Sequence, residues 1–160
     1  MSELRTNRIV PRDGLPSGAY GGIIQVKYAS NTDSQSSTST TMADVTGASL
    51  TITPTRADSA ILIMLTFSGN NAASGGGRLK YQVVRTVGGS SSTIFSVGEA
   101  LVDYGNSNIH VQGIGNNYID TGHNTTSEVT YKLQFASHNG TQVQVNNNGR
   151  TDLIAMEISG

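Results

Sequence analysis

Residues 60–67 are apolar at both odd and even positions, unlike any other run of the chain. Because successive side chains of an extended chain point to opposite faces, this run predicts a strand that is covered on both sides. A helix is the alternative for a short apolar run. This run, however, has only eight residues and is followed by the turn-forming residues 68–71. We therefore predict that it is the central strand of a sheet.

The two sides of this central strand have different expected roles. One side carries four large apolar residues that belong to the core: Ile61, Ile63, Leu65 and Phe67. The other side carries Leu62 and Met64, which belong either to a second core layer or to a contact with another chain. Two adjacent large apolar groups on the outer face of a sheet usually mark an interface, so Leu62 and Met64 are the predicted subunit-interface residues.

Most other strand candidates alternate apolar and polar residues, which is typical of sheets with one face packed and one face solvated. The main ones are 22–28, 48–53, 78–86, 93–102, 108–114, 118–120, 128–135, 141–146 and 152–159. In 22–28 and 152–159 the apolar positions are expected to share one face of each strand, which carries Val26 in the first segment and Met156 in the second. About nine such strands with frequent turns predict an all-β fold, an antiparallel two-sheet sandwich of the jelly-roll type.

Two local signals refine this prediction. Asn139-Gly140 lies between two alternating segments, and it favours a type I′ hairpin because both central residues of that turn need positive φ. Segments 128–135 and 141–146 are therefore expected to pair directly. Gly98 interrupts the segment 93–102 and predicts a β-bulge.

Residues 1–21 do not resemble the rest of the chain, because their few apolar residues are scattered among arginine, proline and glycine. Pro11 and Pro16 favour extended backbone geometry. We therefore expect an extended N-terminal arm at 1–21 that lies on a neighbouring subunit or a larger assembly, followed by a sandwich domain at 22–160. The alternative is that the arm is a disordered tail.

Composition excludes several classes of partner. Ten basic and eleven acidic residues give no electrostatic footprint for nucleic acid or for an anionic membrane. The absence of cysteine excludes a disulfide framework and a thiolate metal site. No apolar run approaches the ~20 residues that span a bilayer, and the N-terminus lacks the apolar region of a signal peptide. A soluble, intracellular protein without membrane insertion is therefore expected.

Catalytic and metal-binding chemistry finds little support. His110, His123 and His138 lack the spacing of metal ligands, so they are expected to be ordinary surface or loop residues. The alternative is one histidine from each subunit binding a metal on a trimer axis. No serine lies in a Gly-x-Ser-x-Gly motif, and no cofactor is expected. Carboxylates could meet in space, but structural and solvated roles are favoured for them: Asp103, Asp120 and Glu128.

A group of aromatic and amide residues in predicted loops could contact glycans, because aromatic faces stack on sugar rings and amides hydrogen-bond to hydroxyl groups. These residues are Tyr104, Asn106, Asn116, Asn117 and Tyr118. The alternative is that the asparagines only form turns.

The segments 37–41, 44–47, 50–54, 130–134 and 152–159, together with the central strand, resemble a family of small domains in tailed-phage virion proteins. Such domains are usually found at the ends of tail fibres or similar appendages. Residues 4–10 resemble the N-terminal segment of many phage fibre and decoration proteins. This resemblance implies that the chain attaches to other virion proteins through Leu4, Arg5, Arg8, Ile9 and Val10. The resemblance further implies a homotrimeric sandwich displayed on a phage particle.

The function expected from the sequence is therefore that of a non-enzymatic structural protein of a tailed-phage virion. The arm would attach it to the particle, and the trimer would be displayed outward as a fibre tip, knob or capsid decoration that could contact host-surface polysaccharide. Two other classes remain open, a stand-alone carbohydrate-binding module and a small hydrolase.

Overall fold

The computed structural model describes residues 22–71, 76–102 and 111–159, and this part of the chain contains β-strands and no helix. The strands are β1 (Ile23–Asn31), β2 (Gln35–Ser37), β3 (Ala43–Ile52), β4 (Ala60–Asn71), β5 (Arg78–Val87), β6 (Ser90–Val102), β7 (Val111–Asp120), β8 (Val129–Ser137), β9 (Val143–Val145) and β10 (Thr151–Ile158). The predicted arm, with its five attachment residues, lies outside the described residues.

Two antiparallel sheets pack face to face. The first sheet has the order β1-β10-β4-β7, and the short strands β9 and β2 extend it next to the end of β4. The second sheet has the order β3-β8-β5-β6. Eight long strands divided in this way, with most connections crossing between the sheets, form a jelly roll. The predicted fold class, an all-β two-sheet sandwich, is confirmed.

The central position of β4 is also confirmed, because β10 pairs with one of its edges and β7 with the other. The four core residues predicted on this strand are buried between the sheets, whereas Leu62 and Met64 are half-buried on its outer side. Residues 68–71 do not form the predicted turn. They continue the strand, because β7 and β9 offer backbone partners to it there.

The predicted hairpin at Asn139-Gly140 is wrong. β8 belongs to the second sheet and β9 to the first, so the chain crosses between sheets at this turn. Gly140 has φ of 84°, but Asn139 is not among the residues with positive φ. A hairpin with two positive-φ residues is found instead at Gly88 and Gly89, whose φ angles are 56° and 83°. This turn joins β5 to β6, which pair directly.

Of two sequence predictions for the edge strands β6 and β7, one is confirmed and the other is wrong. The predicted bulge at Gly98 is confirmed, because β6 has three residues between the partners of Leu79 and Tyr81 whereas β5 has one. The predicted break at 115–117 is wrong, since β7 runs without interruption from 111 to 120 and pairs with β4 at every residue.

Candidate interaction surface

The outer face of the first sheet is apolar across four neighbouring strands. We call this surface the apolar face and define it by seven side chains: Val26, Tyr28, Leu62, Met64, Ile119, Ile154 and Met156. The register of the sheet brings them together. Met156 lies between Val26 and Leu62, and Ile119 lies beyond Leu62, so one row of apolar residues crosses the sheet. Because these residues are cross-strand partners, their side chains share one side.

A second row runs parallel to the first. Ile154 lies between Tyr28 and Met64, and Asn117 ends the row on β7. The row after it is polar, since it contains Asp152, and the Tyr28 hydroxyl donates a hydrogen bond of 2.8 Å to Asp152 Oδ1. The apolar face therefore ends at a polar row, and the hydrogen bond to Asp152 fixes the Tyr28 side chain at this border.

The apolar face is accessible to a partner. Its outermost side chains are about half exposed, with 52% for Val26, 57% for Tyr28 and 47% for Ile119. The central residues, including Leu62 and Met64, are partly covered by their neighbours. A contiguous group of large apolar side chains in water marks an interaction site more often than scattered ones do.

The sequence identified only two of these seven residues as interface residues. For β1 and β10 the sequence predicted only that the apolar positions share one face of each strand, and the structure places that face on the outside of the sandwich. In β10 the inward residues are Leu153, Ala155 and Glu157, all buried, whereas Met156 is on the outer face. The signal that could have revealed this is that both sides of β10 carry enough apolar groups to face a packed layer.

The outer face of the second sheet has the opposite character. It is formed by hydroxyl, amide and charged side chains, of which Thr51, Gln82, Thr130, Lys132 and Gln134 are examples. Val84, which is almost fully buried, interrupts this polar surface. The sandwich therefore presents one apolar and one polar broad surface, and only the polar surface is suited to water.

The predicted glycan-contact residues do not form one loop. Tyr104 and Asn106 lie outside the described residues, and the other three belong to β7. Asn116 points inward and donates a hydrogen bond to the Tyr81 hydroxyl. The Tyr118 ring lies on the same side, with its centroid 6.5 Å from that of Phe95, whereas Asn117 lies on the outer side. Asn117 therefore lies on the opposite side of β7 from Asn116 and Tyr118.

The two histidines that the structure describes, His123 and His138, lie close to other groups of the protein. His110 lies outside the described residues, and His138 is exposed, 3.2 Å from Glu99. His123 lies in a loop, as predicted, but it is buried. Its Nε2 atom is 2.8 Å from the carbonyl oxygen of Ser59. Among the residues that the structure describes, no three His, Cys, Asp or Glu side chains are grouped as a metal site would require.

Two of the carboxylates weighed for catalysis, Asp120 and Glu128, lie in the part of the chain that the structure describes and differ in burial. Asp103 lies outside the described residues, and Glu128 is exposed. Asp120 is buried and accepts hydrogen bonds from Arg85 Nη1 at 2.6 Å and from the Tyr131 hydroxyl at 2.7 Å. Burial and the hydrogen bond to Asp120 raise the pKa of Tyr131 far above its ordinary value. This group therefore holds the two sheets together.

No helix within the described ranges is long and apolar enough to cross a bilayer.

Comparison with known proteins adds little to this description. No protein-family model matches the chain, and no curated protein matches it. The chain is similar to a chain in a solved structure of infectious bursal disease virus, Gx strain, with a TM-score of 0.46 and 13% identity over 86% of this chain and 33% of that chain. For the Gt strain the TM-score is 0.44, with 10% identity over 98% and 43%.

The chain thus spans less than half the length of either viral protein. At this identity and TM-score, the likeness carries no argument about function or assembly. The class of protein rests on the fold and the surface alone: a jelly-roll sandwich with an exposed apolar face on one sheet and a polar face on the other.

Proposed function

We propose that this chain is a non-enzymatic structural protein of a tailed-phage virion. In this proposal it forms a homotrimer through its apolar face, is attached to the particle through residues 1–21, and is displayed outward. The observation that carries the proposal is the exposed apolar face on a sandwich whose opposite face is polar. The resemblance of the segments named above to phage virion domains supports the phage assignment.

The energetics favour a covered apolar face. Burying one large apolar side chain stabilises by roughly 1.5 to 3 kcal/mol relative to leaving it exposed. Several side chains of this face are about half exposed, so an interface would recover several kcal/mol in total. An enzyme that functions as a free monomer gains nothing from such a surface and is exposed to aggregation because of it.

A second copy of this chain is the partner that best fits the apolar face. The seven side chains carry no formal charge, so they offer no complementarity to a strongly charged protein or to nucleic acid. Sheets pack on sheets by interdigitating side chains at a separation of about 10 Å. A copy of the same sheet provides such a surface without any further adaptation.

The threefold symmetry in this proposal comes from the resemblance to phage appendages, and three copies that direct their apolar faces towards one axis would each contact both neighbours. Cyclic symmetry places three equivalent arms in one orientation relative to the axis, which suits attachment to a particle through one set of sites. Stable interfaces bury about 800 Å² on each partner, so residues around the apolar face must take part as well. Synthesis in the host cytoplasm and location in the virion belong to the same proposal.

The trimer is tested with Met64→Asp. Placing a carboxylate at the centre of the apolar face should convert the protein to a monomer at micromolar concentration, because the charge would be desolvated without a partner. The measurement is sedimentation equilibrium of the full chain. The matched control is Thr51→Asp, an outward substitution on the polar sheet, which should stay trimeric. A wild-type monomer, or a dimer, under the same conditions would contradict the proposal.

The attachment role of residues 1–21 is tested by deletion of residues 1–18. The shortened protein should unfold cooperatively and keep its oligomeric state, because the described sandwich contains its own core. It should nevertheless fail to enter virions when it is supplied in place of the full chain during phage assembly. Incorporation at normal copy number would contradict the attachment role. A stand-alone carbohydrate-binding module, by comparison, would keep its function after this deletion.

A further inference from the structure

The polar face contains a groove of about 370 Å³ that runs over four neighbouring strands. β3, β8 and β5 contribute Asp44, Lys132, Gln134 and Gln82 to its walls, and β6 contributes Thr93. Val84, which is only 8% exposed, also lines the groove. The groove is open to solvent along its length, so it suits a chain-like ligand better than a small enclosed one.

The side chains of this groove are held in position by a relay of hydrogen bonds. Gln82 Nε2 donates to Gln134 Oε1 at 2.6 Å, and Gln134 Nε2 donates to Asp44 Oδ1 at 2.6 Å. The Thr93 hydroxyl donates to Gln82 Oε1 at 3.4 Å. Surface glutamines normally sample many rotamers, and ordering them on binding costs conformational entropy. Here the relay has already ordered them.

The hydrogen bonds of the relay do not use every donor of the two glutamines, so some N–H groups can bind a ligand from the solvent. An amide group carries two N–H donors, and the relay uses one of each glutamine. The hydroxyl groups of serine and threonine on the groove walls can both donate and accept. The groove therefore offers alternating donors and acceptors, with Val84 as an apolar contact between them.

The charges in the groove compensate each other. Lys132 Nζ lies 2.9 Å from Asp44 Oδ2. The hydrogen bond from Gln134 lowers the pKa of Asp44, burial opposes this effect, and Lys132 lowers the pKa further. The carboxylate is therefore ionised at neutral pH and is paired with an ammonium group, so the site favours an uncharged ligand.

We propose that this groove binds a neutral carbohydrate chain, with Gln82, Gln134 and Asp44 hydrogen-bonding to sugar hydroxyls and Val84 contacting a C–H face of the ring. The inference rests on the proposed function in one respect: a trimer that buries the apolar face leaves three such grooves on its outer side. Avidity then raises the affinity for repeated surface polysaccharide although each groove binds weakly.

The test uses the full chain on an array of neutral oligosaccharides of hexoses, N-acetylhexosamines and deoxyhexoses, with sialylated and sulfated oligosaccharides as a second set. At least one neutral oligosaccharide should bind, and the charged set should bind less. For the neutral oligosaccharide that binds best, Gln82→Ala and Gln134→Ala should each weaken the affinity in solution at least tenfold. Thr51→Ala, on the same face but outside the groove, should bind as the wild type does.

Three outcomes would overturn the proposal: no binding to any neutral oligosaccharide, stronger binding to the charged set, or unchanged affinity of both glutamine variants. The trimer is tested separately. Met64→Asp should keep the wild-type affinity for a single oligosaccharide in solution and lose only the avidity seen on the array. Failure of the groove and failure of the proposed assembly therefore give different results.

Discussion

Asp120→Ala is expected to lower the free energy of unfolding by about 3 to 5 kcal/mol, because it breaks a buried ion pair by removing one partner. The carboxylate bonds to Arg85 and Tyr131, and Gly122 N donates to it at 2.9 Å. The Arg85 side chain is only 18% exposed, so water compensates its charge poorly after the substitution. The hydroxyl of Tyr131 would also lose its acceptor.

The measurement is urea unfolding of the variant and the wild type, followed by circular dichroism. Tyr131→Phe is the control, since it keeps the ion pair and removes one hydrogen bond to a charged group, for an expected loss of about 1.5 kcal/mol. A loss for Asp120→Ala no greater than that of the control would show that the pair is not a main link. Asp120 ends β7 and follows Ile119, so the same link holds one edge of the apolar face.

The fold could be predicted because the inner layer has clear patterns. In β4 and β8 the inward positions are large and apolar, and each strand has neighbours on both edges. Burial of such positions dominates the free energy of folding, so their pattern survives in the structure almost unchanged. β4 and β8 were therefore located correctly even where their ends were not.

The inward and outward sides of β1 and β10 could not be predicted from local pattern. In β10 the sequence offers two apolar sets of similar size, and one of them includes the carboxylate of Glu157. Choosing the set without a charge is reasonable for an isolated strand. The structure instead buries the set that includes Glu157, because donors from distant parts of the chain satisfy its carboxylate and no local pattern reports them.

Local turn chemistry likewise does not reveal which sheet the next strand joins. Asn139-Gly140 has the residue types of a hairpin, yet Ser137 Oγ accepts a hydrogen bond from Gly140 N and donates to Thr141 O, in a turn that leads to the other sheet. Gly88-Gly89 carries a comparable signal and does form a hairpin. The difference lies in the strand partners available at the end of each turn.

The groove could not be predicted for a related reason. Its residues appear in the sequence as ordinary solvent-facing positions of alternating strands. Asp44 and Gln134 are separated by 90 positions, and Gln82 and Gln134 by 52. Only the order β3-β8-β5 brings them next to one another, and that order depends on the whole topology.

Glu157→Gln is expected to lower the free energy of unfolding at pH 7 by about 2 to 3 kcal/mol, through the loss of strong hydrogen bonds to a charged group. Glu157 is fully buried and has no cation beside it in the described surroundings. It accepts hydrogen bonds from Gln25 Nε2 at 2.6 Å, from Thr55 N at 2.7 Å and from Ser59 Oγ at 2.8 Å. An amide in its place would direct its NH2 group either towards Gln25 Nε2 or towards the donors of Thr55 and Ser59, because these bond to different oxygens of Glu157.

This contribution should depend on pH in a defined direction. Burial alone would raise the pKa of Glu157, but the hydrogen bonds from Gln25, Thr55 and Ser59 together lower it below its ordinary value. A group with a lowered pKa in the folded state stabilises the protein above its unfolded pKa of about 4.3, and this stabilisation is lost as the pH falls through the folded pKa. The difference between wild type and Glu157→Gln should therefore shrink as the pH is lowered below about 4.3.

The comparison is made by urea unfolding from pH 7 to pH 3, with Glu128→Gln as the control for an exposed carboxylate, expected to stay within about 0.5 kcal/mol of wild type at pH 7. A constant difference between wild type and Glu157→Gln across this range would show that the carboxylate does not carry the effect. Glu157 lies next to Met156 on β10 and bonds to Gln25 on β1, the strand that presents Val26. If weakening this bond loosens β1, the trimer proposed above should also be weaker in the variant at pH 7, and sedimentation measures the difference directly.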